Sequence, residues 1–171
     1  GMVKDINPVG SAAPRNPVVM GGVAYFAADD GSHGEELWRS DGTVSGTYMV
    51  KDVNPEERWI NIIQGTTEPD DSDITELTVA GDKLFFFARN NSQLPFTDHE
   101  LWVSDGTASG TKQVIEDGMF FQTLSQSVPF VGQNIAWYTG PRELTAVGDK
   151  VFFSSMAAYW YSYEDWEMSG E

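Results

Sequence analysis

GEELWRSDGTVSGTYMVKDVNP (residues 34–55) and DHELWVSDGTASGTKQVIEDG (residues 98–118) are one phrase written twice, 64 residues apart. Trp38, Trp102 and Trp166 share that spacing, as do Gly42, Gly106 and Gly170. A fixed period of this size means that one small unit is copied along the chain, each copy needing a neighbour to bury its apolar face. Residues that recur in this way serve the scaffold first, so an enzyme is not the expected reading.

The unit resolves into four strand-like pieces. The first is PVVM (17–20), ITELTVA (74–80) and RELTAV (142–147); the second is VAYFAA (23–28), KLFFFA (83–88) and KVFFSS (150–155). The third is ELWRS (36–40), ELWVS (100–104) and a worn copy, EDWEM (164–168); the fourth is TYMVKDV (47–53) and TKQVIED (111–117). All are rich in β-branched and aromatic residues, are bounded by Gly, Asp, Asn or Pro, and carry no helical period. The expected fold is all-β, in repeated four-stranded antiparallel units.

Turn chemistry supports hairpins. Gly21-Gly22, Gly81-Asp82 and Gly148-Asp149 separate the first and second pieces. Between the third and fourth stands DGTxxGT: Asp41, Gly42, Thr43 and Gly46, then Asp105, Gly106, Thr107 and Gly110. Aspartate there accepts hydrogen bonds from the turn backbone and glycine takes the left-handed position, so a turn explains every residue without a metal or phosphate.

The second piece is apolar on both faces, with Leu84, Phe85, Phe86 and Phe87 in sequence, which predicts a sheet covered on both sides. Such sheets stacked face to face describe the blades of a β-propeller. The chain opens with VKDINP (3–8), a match to VKDVNP (50–55), and so with a lone fourth strand. The expectation is one repeat domain over 1–171, with about three blades. Its units cover approximately 9–53, 74–117 and 142–171, and an N-terminal strand (2–7) completes the last. Closed propellers have about four to eight blades, so a homodimer making a ring of six, or a place in a longer protein, is expected.

Acids outnumber bases 26 to 10, a net charge of −16, which argues against nucleic acid or an anionic membrane as partner. Aromatic residues at 13% and hydrophobic residues at 40% indicate a globular chain. No apolar run has membrane-span length and no signal peptide stands at the start, where Gly1 before Met2 reads as a remnant of tag cleavage. Without cysteine there is no disulfide and no thiolate chemistry.

AADDGSHGEELWRSDGTVSGTYMVKDVNP (27–55) resembles the repeat of the ELWxxDGT repeat proteins, bacterial chains also described as hyalin-like. The resemblance covers two good copies, the leading VKDINP and a degenerate third copy, in which Ser169 and Glu171 replace the aspartate and threonine of the turn. It implies a propeller-like protein that is secreted or attached to the cell surface, with no settled activity.

Insertions in repeat proteins collect on one face. Here the variable segments are 29–35, 89–99 and 156–163, with the longer crossings 54–73 and 118–141. They hold or adjoin Trp59, Arg89, Trp137, Tyr138, Arg142, Tyr159, Trp160 and Tyr161. Rigid aromatics with a polar tip suit recognition, including platforms for sugar rings, so a glycan or another protein is the expected partner. The alternative is that they fold inward and pack the long loops. The tryptophans of the ELW phrase are read as core.

No cofactor is expected. Calcium would find its best place at Asp29, Asp30 and Glu35, but the spacing is not that of an EF-hand, and Asn90 and Asn91 replace the acids in the second copy. His33 and His99 both precede an ELW strand at different offsets, and read as hydrogen-bonding spacers. The rival reading is a sialidase-like glycoside hydrolase, with Arg58, Arg89 and Arg142 clamping a substrate carboxylate beside Tyr138. Against it, tryptophan precedes SDGT here, whereas it follows the serine, aspartate and glycine of the sialidase box. A purely structural segment of a larger surface protein is the third reading.

Overall fold

The computed structural model describes residues 1–61, 64–89, 99–114 and 142–154. These residues form strands and no helix. β1 (Arg15–Met20), β2 (Val23–Asp29), β3 (Glu35–Ser40) and β4 (Tyr48–Lys51) make one antiparallel sheet in chain order. β5 (Glu57–Asn61) and β6 (Thr66–Pro69) form a separate hairpin. β7 (Thr75–Ala80), β8 (Lys83–Ala88), β9 (Glu100–Ser104) and β10 (Lys112–Gln113) repeat the first sheet, and β11 (Arg142–Val147) with β12 (Lys150–Ser154) begins a third copy. The expected strand at 164–168 lies outside the described residues.

Each first strand carries the same irregularity. Its pairing slips between Arg15 and Val18 in β1, between Thr75 and Thr78 in β7, and between Arg142 and Thr145 in β11. At the bulge stand Asn16, Glu76 and Glu143, with φ of 53°, 55° and 63°. Left-handed backbone is unfavourable for residues with a Cβ, so something must hold it. In two copies that something is the next unit: Asn16 Nδ2 donates to Ile74 O at 3.2 Å, and Glu76 Oε2 accepts from the Leu144 amide.

The second strand is the wall between two cores. Phe86 enters a cluster with Tyr25, Ala27, Leu37, Val50, Val53 and Trp102, so the first two sheets share it. Phe87, the next residue, enters a second cluster with Leu101 and Leu144, against which Val151 and Phe153 pack. Side chains alternate across a strand, so two consecutive buried phenylalanines require a layer on each side. Both are fully buried. The Phe86 and Trp102 rings stack with centroids 6.3 Å apart, and Phe87 meets Phe153 edge-on at 5.7 Å.

Residues 2–7 were expected to be a strand that completes the last unit, and they form none. They run along the outer face of the first sheet, where Lys4 Nζ donates to Thr47 O at 2.7 Å and lies 5.9 Å from the Trp38 ring centroid. A strand needs a neighbour for its backbone groups, and no described strand pairs with this segment. The β5–β6 hairpin, in contrast, was not foreseen: the crossing 54–73 turns back on itself at Gln64-Gly65.

The two DGTxxGT turns are superimposable in their bonds. Asp41 Oδ1 accepts from the Thr43 amide at 2.9 Å and hydroxyl at 2.7 Å, and Asp105 Oδ1 does the same for Thr107 at 2.9 and 2.7 Å. Thr47 and Thr111 each donate to the carbonyl of Thr43 or Thr107 at 2.7 Å. Gly42 and Gly106 take φ of 87° and 88°, but their surroundings differ. A Cβ on Gly42 would meet nothing, whereas on Gly106 it would lie 2.1 Å from Tyr25 Oη of the neighbouring sheet. Both Gly→Ala changes therefore carry the left-handed backbone penalty of about 1–2 kcal/mol, and Gly106→Ala must in addition displace Tyr25. Urea unfolding is expected to show Gly106→Ala clearly less stable than Gly42→Ala; equal losses would mean that Tyr25 does not seat on this turn.

Candidate functional site

The two ends of the sheets differ in kind. At one end the DGTxxGT turns satisfy their own polar groups, and hydrogen bonds from Thr43 and Thr107 hold the Asp41 and Asp105 carboxyls below the usual range. At the other end lie the β2–β3 and β8–β9 connections and the crossing from β4 to β7, including the β5–β6 hairpin.

That second end is organised by a charge cluster that joins the first two units. Arg15, at the start of β1, grips the Glu35 carboxylate with two nitrogens, Nε and Nη2, and reaches Asp73 Oδ1 at 3.1 Å. Glu35 also accepts from the Ile74 amide at 3.2 Å, and its own amide donates to Asp71 Oδ1 at 2.8 Å. Asp73 in turn meets His99 Nε2 at 3.0 Å and lies 3.9 Å from Arg89 Nε. Burial works against the charged form of Asp73, but the Arg15 hydrogen bond and the charges of His99, Arg89 and Arg15 hold its carboxyl below the usual range. The bidentate Arg15–Glu35 pair is strong and directional within the first unit, and its single contacts to Asp73, Asp71 and the Ile74 amide join that unit to the second.

The candidate metal ligands are not assembled. Glu35 is occupied by Arg15, Asp29 Oδ1 accepts from the Gly31 amide at 2.6 Å, and Asp30 caps the Ser32 and His33 amides at 2.9 and 3.0 Å. Asp30 Oδ2 also meets His33 Nδ1 at 2.9 Å. Among the described residues no group of three or more His, Cys, Asp or Glu is placed to hold a metal ion.

Of the predicted recognition residues, Trp59 stands in β5 opposite Thr67, Arg142 opens β11 opposite Ser154, and Arg89 follows β8 with its amide donating to Ser72 O at 2.8 Å. Trp137, Tyr138, Tyr159, Trp160 and Tyr161 lie outside the described residues. Arg58, a member of the expected carboxylate clamp, pairs with Glu68 across the β5–β6 hairpin. Arg58 thus lies beside Glu68, and Arg89 beside Asp73, which it shares with Arg15 and His99.

Sequence reading missed Arg15 and Asp73, and it missed Glu36, the glutamate of the ELW phrase. Glu36 is fully buried, with Oε2 accepting from the Val53 amide at 2.6 Å. Burial pushes its carboxyl up to about 8, with the Val53 hydrogen bond opposing and the nearby Asp52 charge reinforcing. Its Oε1, Asp52 Oδ1 and Asn54 Oδ1 have no hydrogen-bond partner among the described residues. Glu100, the equivalent in the second unit, is also raised by burial, against a hydrogen bond to Gln113. The available signal was the glutamate preceding Leu-Trp in both copies, in a strand otherwise buried.

No family model matches this chain, and no curated protein and no solved structure shows significant similarity to it.

A carboxyl whose folded value lies above its ordinary 4.5 binds more protons in the folded than in the unfolded chain across the interval up to about 8. Its stabilising contribution is complete below about 4.5 and is lost as pH rises through about 8. The melting temperature is therefore expected to fall across that interval, and Glu36→Gln, which keeps an acceptor for Val53, is expected to flatten the fall. An unchanged slope in the variant would show that Glu36 does not titrate there.

Proposed function

We propose that this chain is a non-catalytic, propeller-like repeat module of the ELWxxDGT kind, from an extracellular or cell-surface protein. It binds a glycan or another protein through the end that carries the variable connections. The observation that carries the reading is the contrast between the two ends. One is built from two identical, self-satisfied turns, whereas the other holds connections of unequal length and an inserted hairpin. A rigid stack of sheets with variable connections at one end is the usual platform for recognition. The packing of the second sheet against a neighbour on each of its faces supports the propeller-like architecture.

The glycosidase reading finds less support. Its arginine clamp needs free guanidinium groups facing one point, and Arg58 and Arg89 each meet an acid in a different part of the fold. Binding needs no such constellation, only an exposed aromatic anchor on a fixed frame.

The recognition residues to test are Trp59 and Trp137. On a glycan array, alanine at either position is expected to abolish or weaken binding at least about tenfold, as for an anchor contributing ~2 kcal/mol. The melting temperature should stay within a few degrees of the parent. A large fall in stability with binding retained would assign these tryptophans to loop packing and remove the recognition face.

A further inference from the structure

The first unit holds three buried oxygens to which no described group donates. They are Glu36 Oε1, Asp52 Oδ1 and Asn54 Oδ1. A buried acceptor left unmet costs free energy, and a charged one costs more, so three together call for a donor or a cation.

The chain brings these side chains to one place. The Val53 amide donates to Glu36 Oε2 at 2.6 Å, which seats the carboxyl on the segment just after β4. Asp52 and Asn54 flank Val53, and the Glu36 carboxyl feels both the Asp52 charge and the Asn54 backbone amide. Glu36 is 0% exposed and Asn54 is 1% exposed, so neither turns its free oxygen to bulk water. The Asn54 amide has a fixed orientation. Its Nδ2 donates to Asp70 Oδ2 at 2.9 Å and to Asp71 O at 3.1 Å, both acceptors, and Oδ1 is the atom left over.

The protein's own cations do not answer this need. Lys51 and His33 act on Asp52 only through their charge, and the His33 ring is bonded to Asp30. A proton on Glu36 would bridge to one neighbour and leave the third oxygen unmet. A water molecule would offer two hydrogens to three acceptors and leave the charge of the acids uncompensated. Carboxylate and amide oxygens gathered in an irregular segment suit a hard cation, and calcium above all, because its shell is flexible. Two acids and an amide form a different set from the groups of three or more His, Cys, Asp or Glu that are lacking among the described residues.

We propose that Glu36, Asp52 and Asn54 bind one calcium ion through these three oxygens, with water completing the shell. The site is separate from Asp29, Asp30 and Glu35, whose oxygens are taken by loop amides and by Arg15. The ion joins β3 to the exit of β4 and, through the Asn54–Asp70 bond, to the crossing that carries the β5–β6 hairpin. It braces the base of the variable end, whether or not that end binds a glycan. In the second unit Glu100 also has an unmet buried oxygen, Oε2. There, however, the phrase reads VIEDG (114–118), with Gly118 at the place of Asn54, so one ion per chain is expected.

The test is isothermal titration of the full chain, stripped with EDTA, using calcium chloride alone and magnesium chloride as control. Calcium is expected to bind once per chain with a Kd of about 10⁻⁴ M or tighter, and to raise the melting temperature above its value in EDTA. Magnesium, which gives up its water reluctantly, is expected to bind more weakly. Asp52→Asn should weaken calcium binding at least about tenfold, as befits the loss of a charged ligand. In EDTA it should melt no lower than the parent, because no described group donates to the buried oxygen it alters. Glu36→Gln should weaken calcium binding to the same degree. Asp82→Asn, at a side chain 91% exposed in the β7–β8 turn, should leave it unchanged. If Glu36→Gln fails to fold, Asp52→Asn decides alone. Three results overturn the proposal: no response to calcium, an affinity that Asp52→Asn does not move, and an equal loss in Asp82→Asn. The last would mean diffuse binding to an acidic surface.

Discussion

Two phenylalanines side by side, Phe86 and Phe87, point into two separate cores. Everything else in the architecture follows from that arrangement. A strand places consecutive side chains on opposite faces, so a sheet with both faces apolar has no surface left for water and must lie between two others. The central unit meets this demand within the chain: the first sheet covers one side and the β11–β12 hairpin the other. Among the described residues the first and third units are covered on one side, and the exposed large hydrophobic residues include Val19, Val147 and Phe152.

Stacking alone leaves rotation and register between sheets free, because apolar contact is not directional. Polar groups remove that freedom. At one end the Arg15–Asp73 contact and the bonds of Glu35 to the Ile74 amide and Asp71 tie the first sheet to the crossing before β7. Along the first strands, the left-handed bulges turn Asn16 and Glu76 toward the backbone of the next unit. At the opposite end the Tyr25 hydroxyl lies against the second unit's turn at Gly106, a fit that any side chain at this glycine would block. The frame is therefore fixed at both ends and in the middle, and the connections between β2 and β3 and between β4 and β7 are held on a rigid base.

Much of this was legible in the sequence, for physical reasons. The period placed the units, the doubly apolar second strand announced coverage on both faces, and Asp-Gly-Thr spelled a turn whose bonds are satisfied internally. Other features had no local signature. Glu76 in ITELTVA looks like any polar residue on a strand, and only its contact with the Leu144 amide, 68 residues away, explains its left-handed backbone. Arg15 and Glu35 are partners because of the fold and not of their spacing. Glu36 had no reading of its own in the sequence, yet it is buried with a raised carboxyl value. The N-terminal VKDINP matches the fourth-strand phrase VKDVNP in sequence, but it forms no strand, because a strand is a relation between neighbours. No described strand pairs with the segment, which lies against the first sheet through Lys4. Trp137, Tyr138, Tyr159, Trp160 and Tyr161 lie outside the described residues.

The central claim is that the second unit is held through its two faces by different neighbours. Amide hydrogen exchange of two core variants tests it most directly. Phe86→Ala should speed exchange in β2 and β3 of the first unit as well as in β8, and Phe87→Ala should instead speed exchange in β11 and β12. If both substitutions loosened only their own sheet, or both loosened the same neighbour, the units would not be stacked through two distinct cores, and the account would fail.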